Sequence, residues 1–406
     1  MRIIRLQEGT RRIFSPEEID QATVWEIIKK YPDLVEVEFP TPLNNQNYML
    51  LSKSSVGVLP LEDGALWIEP KVEVHNVFKM LEYAYDLESF QLLPEQIPYG
   101  SLEESYEWMV SLLAEMVVTR ARKGLYQAYI GRSEDLPYIR GRLVFEETAK
   151  RFIRGQVSPY CEYEENSVDI PDNQILLRTL YLLSQSRFER EDVKEAVQKA
   201  YRALAGTVTL RHVEAKECAG RTYNRLNEDY RPMHSLCRLF LACSSPAFTR
   251  GAAEFFPFVV DMKYLYERFV ARWLDKNGSP SMRFVPQYPK TVGIQDPMTF
   301  FIDVVVMDEQ GQTLAVLDTK YKGGQAQVGQ AGRPVASDIH QMVSYATMMR
   351  TGRAALIYPT ARMISLAYDI EHIMLRTMVF DLDGDLDAAG RAFLTELESF
   401  LFNPDS

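Results

Sequence analysis

The feature that most constrains this chain is a pair of β-branched, apolar runs with one acid embedded in each. "FFIDVVVM" (300–307) and "TLAVLDTKYK" (313–322) flank the turn-forming stretch "DEQGQ" (308–312). Two such runs joined by a short polar turn predict an antiparallel hairpin. If the hairpin closes between 310 and 311, paired positions sum to 621 and Asp303 lies across from Asp318. A slip of one residue destroys that match, because side chains alternate between faces. A carboxylate inside such a run is expensive unless it is paired or metal-bound.

The acid-x-lysine spacing of Asp318 and Lys320 does not select itself. It recurs at Glu69/Lys71, Asp192/Lys194, Glu214/Lys216 and Asp261/Lys263. The 318/320 pair differs by following a β-branched strand with a second acid, Asp303, in the strand before it. Period-two geometry puts Asp318, Lys320 and Lys322 on one face. Two carboxylates so placed make a hard-cation site, and magnesium takes oxygen ligands while keeping several waters. The Thr319 carbonyl offers a third protein oxygen. Lys320 would orient or deprotonate a water, or offset charge developing on phosphorus. Lys322 reads as a DNA-backbone contact. The competing reading pairs Asp303 with a lysine or arginine, starts a turn at Asp318, and leaves the lysines as edge charges that discourage aggregation.

Other candidates also carry two readings. Glu267, in "YLYERFV", either lies on a helix surface or points into the site. Gln341 and Tyr345, four apart on one helical face, hold a water or phosphate or else cap a core. Arg140 and Arg142, in "LPYIRGRLVFEE", bind phosphate or a partner's acid, or else end a solvated strand. No histidine has a partner spaced for zinc, and there is no Walker loop, GxGxxG or GxSxG. The chain is therefore expected to bind no nucleotide itself.

The net charge of -11 argues against a nucleic-acid partner only until its distribution is read. Residues 1–110 carry 9 Lys/Arg against 19 Asp/Glu, whereas the other 296 carry 36 against 37. The segment 319–337 holds Lys320, Lys322 and Arg333 and no acid. Local fields steer polyanions, so the C-terminal part suits DNA and the acidic front end suits a protein partner.

The chain reads as an α+β multidomain protein: a small β-rich domain over 1–100, a mainly helical region over 101–250, and an α/β domain with a mixed central sheet over 251–406. Helices are expected to start at caps Ser15, Asn76 and Asp338, and "FPFVVDMKYLYERFVARWLDKNG" (256–278) reads as one helix. "GGQAQVGQAGRP" (323–334) is the clearest loop. Four scattered cysteines without zinc spacing, no secretory signal and no bilayer-length apolar run fit reduced thiols, no membrane, and a cytoplasmic location.

The sequence resembles the McrC family, the nuclease subunits of McrBC-type restriction systems. The resemblance is carried by "VGVLPLEDGALWIEPKV" (56–72), "YIRGRL" (138–143), "DIPDNQILLRTL" (169–180), "YNRLNEDYRP" (223–232), "DMKYLYERFV" (261–270), "IDVVV" (302–306), "LDTKYK" (317–322), "HQMVSYA" (340–346) and "LIYP" (356–359). It implies a C-terminal PD-(D/E)xK endonuclease domain of restriction-endonuclease type. In that domain Asp303 and Asp318 would be the metal-binding acids and Lys320 the catalytic lysine. Glu267 would match the acid on the preceding helix and Gln341 the glutamine on the following one, while Ile302 departs from the motif's proline. It further implies Mg2+, with Mn2+ as the alternative ion, and double-stranded DNA, modified or not, as substrate. An McrB-like AAA+ GTPase ring would be the partner whose hydrolysis the N-terminal part stimulates, with self-association through the nuclease domain as a further expectation. The rivals are a non-catalytic regulatory subunit of such a ring, and a repair or defence nuclease of the same fold.

Overall fold

The computed structural model describes residues 2–85, 102–243, 258–293, 296–321, 333–360 and 365–402. Where the sequence suggested three consecutive segments, the chain packs as two compact units: residues 1–105 with 243–406, and residues 106–242.

The first unit opens with β1 (Arg2–Gln7), β2 (Arg11–Phe14), α1 (Gln21–Lys30), β3 (Val35–Glu38), β4 (Tyr48–Ser52), β5 (Ser55–Leu61), β6 (Gly64–Glu69) and α2 (Val74–Tyr85). β5 and β6 form a tight hairpin around Glu62-Asp63, in the register Leu61↔Gly64. β1 then lies parallel to β6, so these two strands end side by side at Gln7 and Glu69. A second sheet runs β2-β4-β3. Leu6, Val24, Ile27, Leu50, Leu59, Leu66 and Ile68 bury between the layers. α1 begins later than expected, because Asp20 rather than Ser15 accepts the N-terminal bond, from Thr23 N at 2.8 Å. Ser15 instead closes a turn with Glu18. Asn76 is no cap either. It is buried inside α2, and its amide donates to the carbonyls of Leu382 (2.9 Å) and Gly384 (2.8 Å).

The second unit holds α3 (Leu102–Lys123), β7 (Ala128–Asp135), β8 (Arg142–Leu143), α4 (Phe145–Ile153), β9 (Tyr160–Ser167), α5 (Pro171–Ser184), α6 (Glu191–Leu204) and α7 (Tyr230–Cys243). It is mainly helical, with one small antiparallel sheet in the order β7-β9-β8. "LPYIRGRLVFEE" is extended only over the two residues of β8 before α4 begins. A buried polar network fixes the start of α5: Arg221 forks onto Asp172 at 3.2 and 2.6 Å, and Tyr230 donates to Asn173 at 2.6 Å. Cys161, Cys218, Cys237 and Cys243 are all free and buried.

The chain then returns to the first unit as β10 (Phe258–Asp261), α8 (Met262–Asn277), β11 (Met282–Val292), β12 (Met298–Asp308), β13 (Thr313–Thr319), α9 (Ala336–Met349), β14 (Arg353–Tyr358), β15 (Ala367–Ile370), β16 (Ile373–Val379) and α10 (Leu386–Phe402). The sequence placed 258–261 in a helix; instead they pair antiparallel with β5. Gly57, at φ 132°, makes that pairing possible, since a Cβ there would sit 1.9 Å from the Phe258 carbonyl oxygen. The helix starts only at Met262, where Asp261 accepts from Lys263 N and Tyr264 N.

Six strands form the central mixed sheet, in the order β11-β12-β13-β14-β16-β15. The hairpin pairs Val304↔Leu317, Val305↔Val316 and Val306↔Ala315, the 621 register, but next to the turn the pair is Met307↔Thr313, and a bulge between Val306 and Met307 makes up the one-residue difference. β13, β14 and β16 are mutually parallel, and α9 is the crossover from β13 to β14 that parallel neighbours require. Met342, Tyr345 and Ala346 of α9 pack on Ile302, Val305, Val316, Ala354 and Leu356, with roughly 1.5–3 kcal/mol for each large side chain buried. Asp338 does not cap α9; it is buried inside the first turn, and Val335 holds the cap position. Phe380, just past β16, collects Phe269 (5.0 Å), Trp273 (5.3 Å) and Phe393 (5.4 Å). Among the described residues no helix is long and apolar enough to cross a membrane.

Candidate active site

The register delivers Asp303 and Asp318 to one end of the central sheet, at the close of β13. Thr319 holds Asp303 twice: its backbone N–H donates to Asp303 Oδ2 at 2.8 Å and its hydroxyl at 2.9 Å. Asp318 is 2% exposed, and its Oδ2 lies 2.6 Å from Lys320 Nζ. Lys320 is fixed at both ends. Its backbone N–H donates to Ile357 O at 2.8 Å, and its ammonium donates to Gln341 Oε1 at 2.9 Å. Gln341 in turn donates to the Tyr345 hydroxyl at 3.0 Å, and that hydroxyl lies 3.4 Å from Phe301 O.

Three acids here are harder to ionise than usual, and the causes agree. Burial and Asp303 push Asp318 up to about 6. Burial, then Asp303, push Glu267 of α8 up to about 7, with Asp318 adding to the rise. Asp303 is also raised, chiefly by burial, although the Thr319 bonds oppose it. Burial works against the Lys320 charge, yet Asp318 outweighs it and the lysine is raised above its ordinary value. The site therefore concentrates buried negative charge against a firmly protonated lysine.

Sequence reasoning missed two contributors. Gln287 of β11 donates to Glu267 Oε1 and has φ 47°, a left-handed conformation rare outside glycine. It interrupts the β11–β12 ladder between Pro286↔Val304 and Tyr288↔Ile302, opposite Asp303. Only the "PQYP" punctuation hinted at an irregular strand. Asp338 is the second, a buried acid whose charge raises both Asp318 and Lys320.

The remaining candidates are dispersed. Tyr345, expected to hold a water or phosphate or else to cap a core, is 7% exposed and its hydroxyl accepts from Gln341. Arg333 is exposed, and Lys322, like most of 323–334, lies outside the described residues. Arg140 and Arg142 belong to the other unit. Arg140 stacks over Tyr163 at 4.0 Å, and the Arg142 side chain is 83% exposed with Glu162 3.9 Å away.

Among the described residues no group of three or more His, Cys, Asp or Glu side chains forms a metal cage. The donor set still fits a hard cation that keeps most of its shell as water. Asp303 and Asp318 would supply two carboxylates and Thr319 a backbone oxygen; burial is the first cause of the rise in both acids, and Asp303 adds to it at Asp318.

Fold and site together define a multidomain α+β protein whose central mixed sheet gathers acids and one lysine at a strand end. A family model for the "McrBC 5-methylcytosine restriction system component" matches residues 50–359, and the chain belongs to that family. The "Type IV methyl-directed restriction enzyme EcoKMcrBC" of Escherichia coli (strain K12) is 25% identical over 207 residues, which cover 50% of this chain and 58% of that protein. A chain of the "tetradecameric assembly of Thermococcus gammatolerans McrB AAA+ hexamers with bound McrC" superposes with a TM-score of 0.57 over 98% of this chain and all of that one. At 17% identity that likeness is one of fold.

Proposed function

We propose that this chain is the McrC-type nuclease subunit of an McrBC-like restriction complex, hydrolysing DNA phosphodiester bonds with Mg2+ on a PD-(D/E)xK-type domain. The observation that carries the reading is the meeting of Asp303, Asp318 and Lys320 at one strand end, with Glu267 close enough to feel both acids. Asp303, Asp318 and the Thr319 carbonyl would hold the ion; Mn2+ suits the same oxygens. When bound, such an ion polarises a phosphoryl oxygen and makes water a better nucleophile. Protonated Lys320, held by Gln341, presents positive charge where the scissile phosphate gains negative charge. Thr319 keeps Asp303 oriented, and Gln287 orients Glu267.

The family membership supports a partner of the AAA+ GTPase type, as does the likeness in fold to a chain of an McrB–McrC assembly. Stimulation of that partner's GTP hydrolysis, contacts through Arg140 and Arg142, modified double-stranded DNA as substrate and self-association all belong to this proposal. The test is cleavage of modified and unmodified plasmid by the reconstituted complex with Mg2+. Wild type should cleave, and Asp318→Ala and Lys320→Ala should assemble without cleaving. Restriction unaffected by both substitutions would instead favour a regulatory subunit.

A further inference from the structure

One acid-x-lysine pair set aside in the sequence turns out to reach the site from behind. In Glu69/Lys71 the two partners separate: Glu69 pairs with Arg5 at 2.6 Å, while the Lys71 ammonium lies 3.7 Å from Glu8 Oε1. Glu8 and Lys71 are neighbours because parallel β1 and β6 end together, and Glu8 N–H continues their ladder to Glu69 O at 2.8 Å. Glu8 is 1% exposed, a costly place for a carboxylate. Its second oxygen accepts from the Tyr321 hydroxyl at 3.1 Å, and the Lys71 ammonium sits 4.9 Å over the Tyr321 ring.

Tyr321 directly follows Lys320, and its ring lies 5.8 Å from that of Tyr266, the residue directly before Glu267. Both tyrosines are buried. The immediate neighbours of two site residues therefore meet behind the site, and one of them is tied to an ion pair on the N-terminal sheet. Consecutive residues of an extended chain point to opposite sides, so fixing Tyr321 fixes the direction of Lys320.

We infer that Glu8, Lys71 and Tyr321 form a positioning latch, by which the N-terminal sheet sets the alignment of Lys320 and, through Tyr266, of Glu267. This rests on the nuclease reading. The latch gives the N-terminal sheet a covalently short path to the chemistry: one hydrogen bond and one peptide unit. A misplacement of about 1 Å in such a group lowers turnover strongly without touching substrate affinity.

The test uses the reconstituted complex, with wild type and Lys320→Ala as references and Tyr321→Phe, Glu8→Gln and Glu8→Ala as probes. Tyr321→Phe keeps the ring and the fold. It should lower kcat about ten-fold with KM for DNA within about two-fold. Glu8→Gln retains an acceptor for the tyrosine and should keep most of the turnover that Glu8→Ala loses. The Glu8→Ala/Tyr321→Phe double variant should be no slower than Glu8→Ala, since both remove one link. Wild-type turnover in Tyr321→Phe beside an inactive Lys320→Ala overturns the latch alone, as does a rise in KM at unchanged kcat. A wild-type complex that does not cleave, or a Lys320→Ala complex that does, overturns the nuclease reading and the latch with it.

Discussion

Asp318-Thr319-Lys320 and Asp261-Met262-Lys263 share a spacing and lie in the same unit, yet they do different work. Asp261 is exposed and spends its carboxylate on the first N–H groups of α8, at 2.9 and 3.2 Å. It needs nothing else, because helix N-termini leave donors unsatisfied and water covers the rest. Asp318 is buried beside Asp303, is raised to about 6, and finds its counter-charge in Lys320. The spacing carries no chemistry by itself. What distinguishes the two is the burial of Asp318 and a second, half-buried acid beside it.

The sharpest way to break this contrast is to delete each acid in turn. Asp318→Ala should lower DNA cleavage by about 10²–10³-fold, whereas Asp261→Ala should leave turnover unchanged and cost about 1 kcal/mol of stability, as lost caps do. Equal losses of activity from both would erase the distinction. Gln287 offers a finer test. Gln287→Gly relieves the left-handed backbone and should stabilise the fold by about 1 kcal/mol, while freeing Glu267 and slowing cleavage. Melting and turnover moving the same way would show that Gln287 only braces the strand.

A smaller effect concerns pH. With Glu267 raised from 4.5 to about 7 and Asp318 from 3.8 to about 6, the folded metal-free chain binds more protons than the unfolded chain between these limits. Its stability should fall as pH rises through that window. Asp318→Asn removes one source of the repulsion, so it should flatten the decline and raise metal-free stability at pH 7 by about 0.5–2 kcal/mol. A melting temperature that rises from pH 5 to pH 7 would contradict the charge picture.

Much of this was legible in the sequence where the signal is local. The two apolar runs and the turn between them made the hairpin legible, and with it the approach of Asp303 to Asp318; the bulge between Val306 and Met307, which separates the 621 register from the turn-side pair Met307↔Thr313, was not. What was illegible depends on partners far along the chain. Phe258–Asp261 reads as the start of a helix until β5 is there to pair with it, some 200 residues earlier. The Tyr321–Glu8 bond spans 313 residues, and no periodicity announces it. Caps failed for a related reason: Ser15, Asn76 and Asp338 all suit helix starts, but tertiary packing claimed Asn76 and Asp338 for the interior. Gln287 carries no propensity for φ 47°, so its conformation belongs to the site and not to its own residue type.

The nuclease reading requires Asp303 of β12 and Asp318 of β13 to be oxygen donors of a divalent-cation site. Calorimetric titration of Mg2+, and then Mn2+, into the metal-free chain tests it without any need for turnover. Saturable uptake by wild type, lost in both Asp303→Ala and Asp318→Ala and retained in Asp261→Ala, is the predicted result. Uptake that survives loss of Asp303 and Asp318, or a wild-type chain that takes up neither ion, would contradict it.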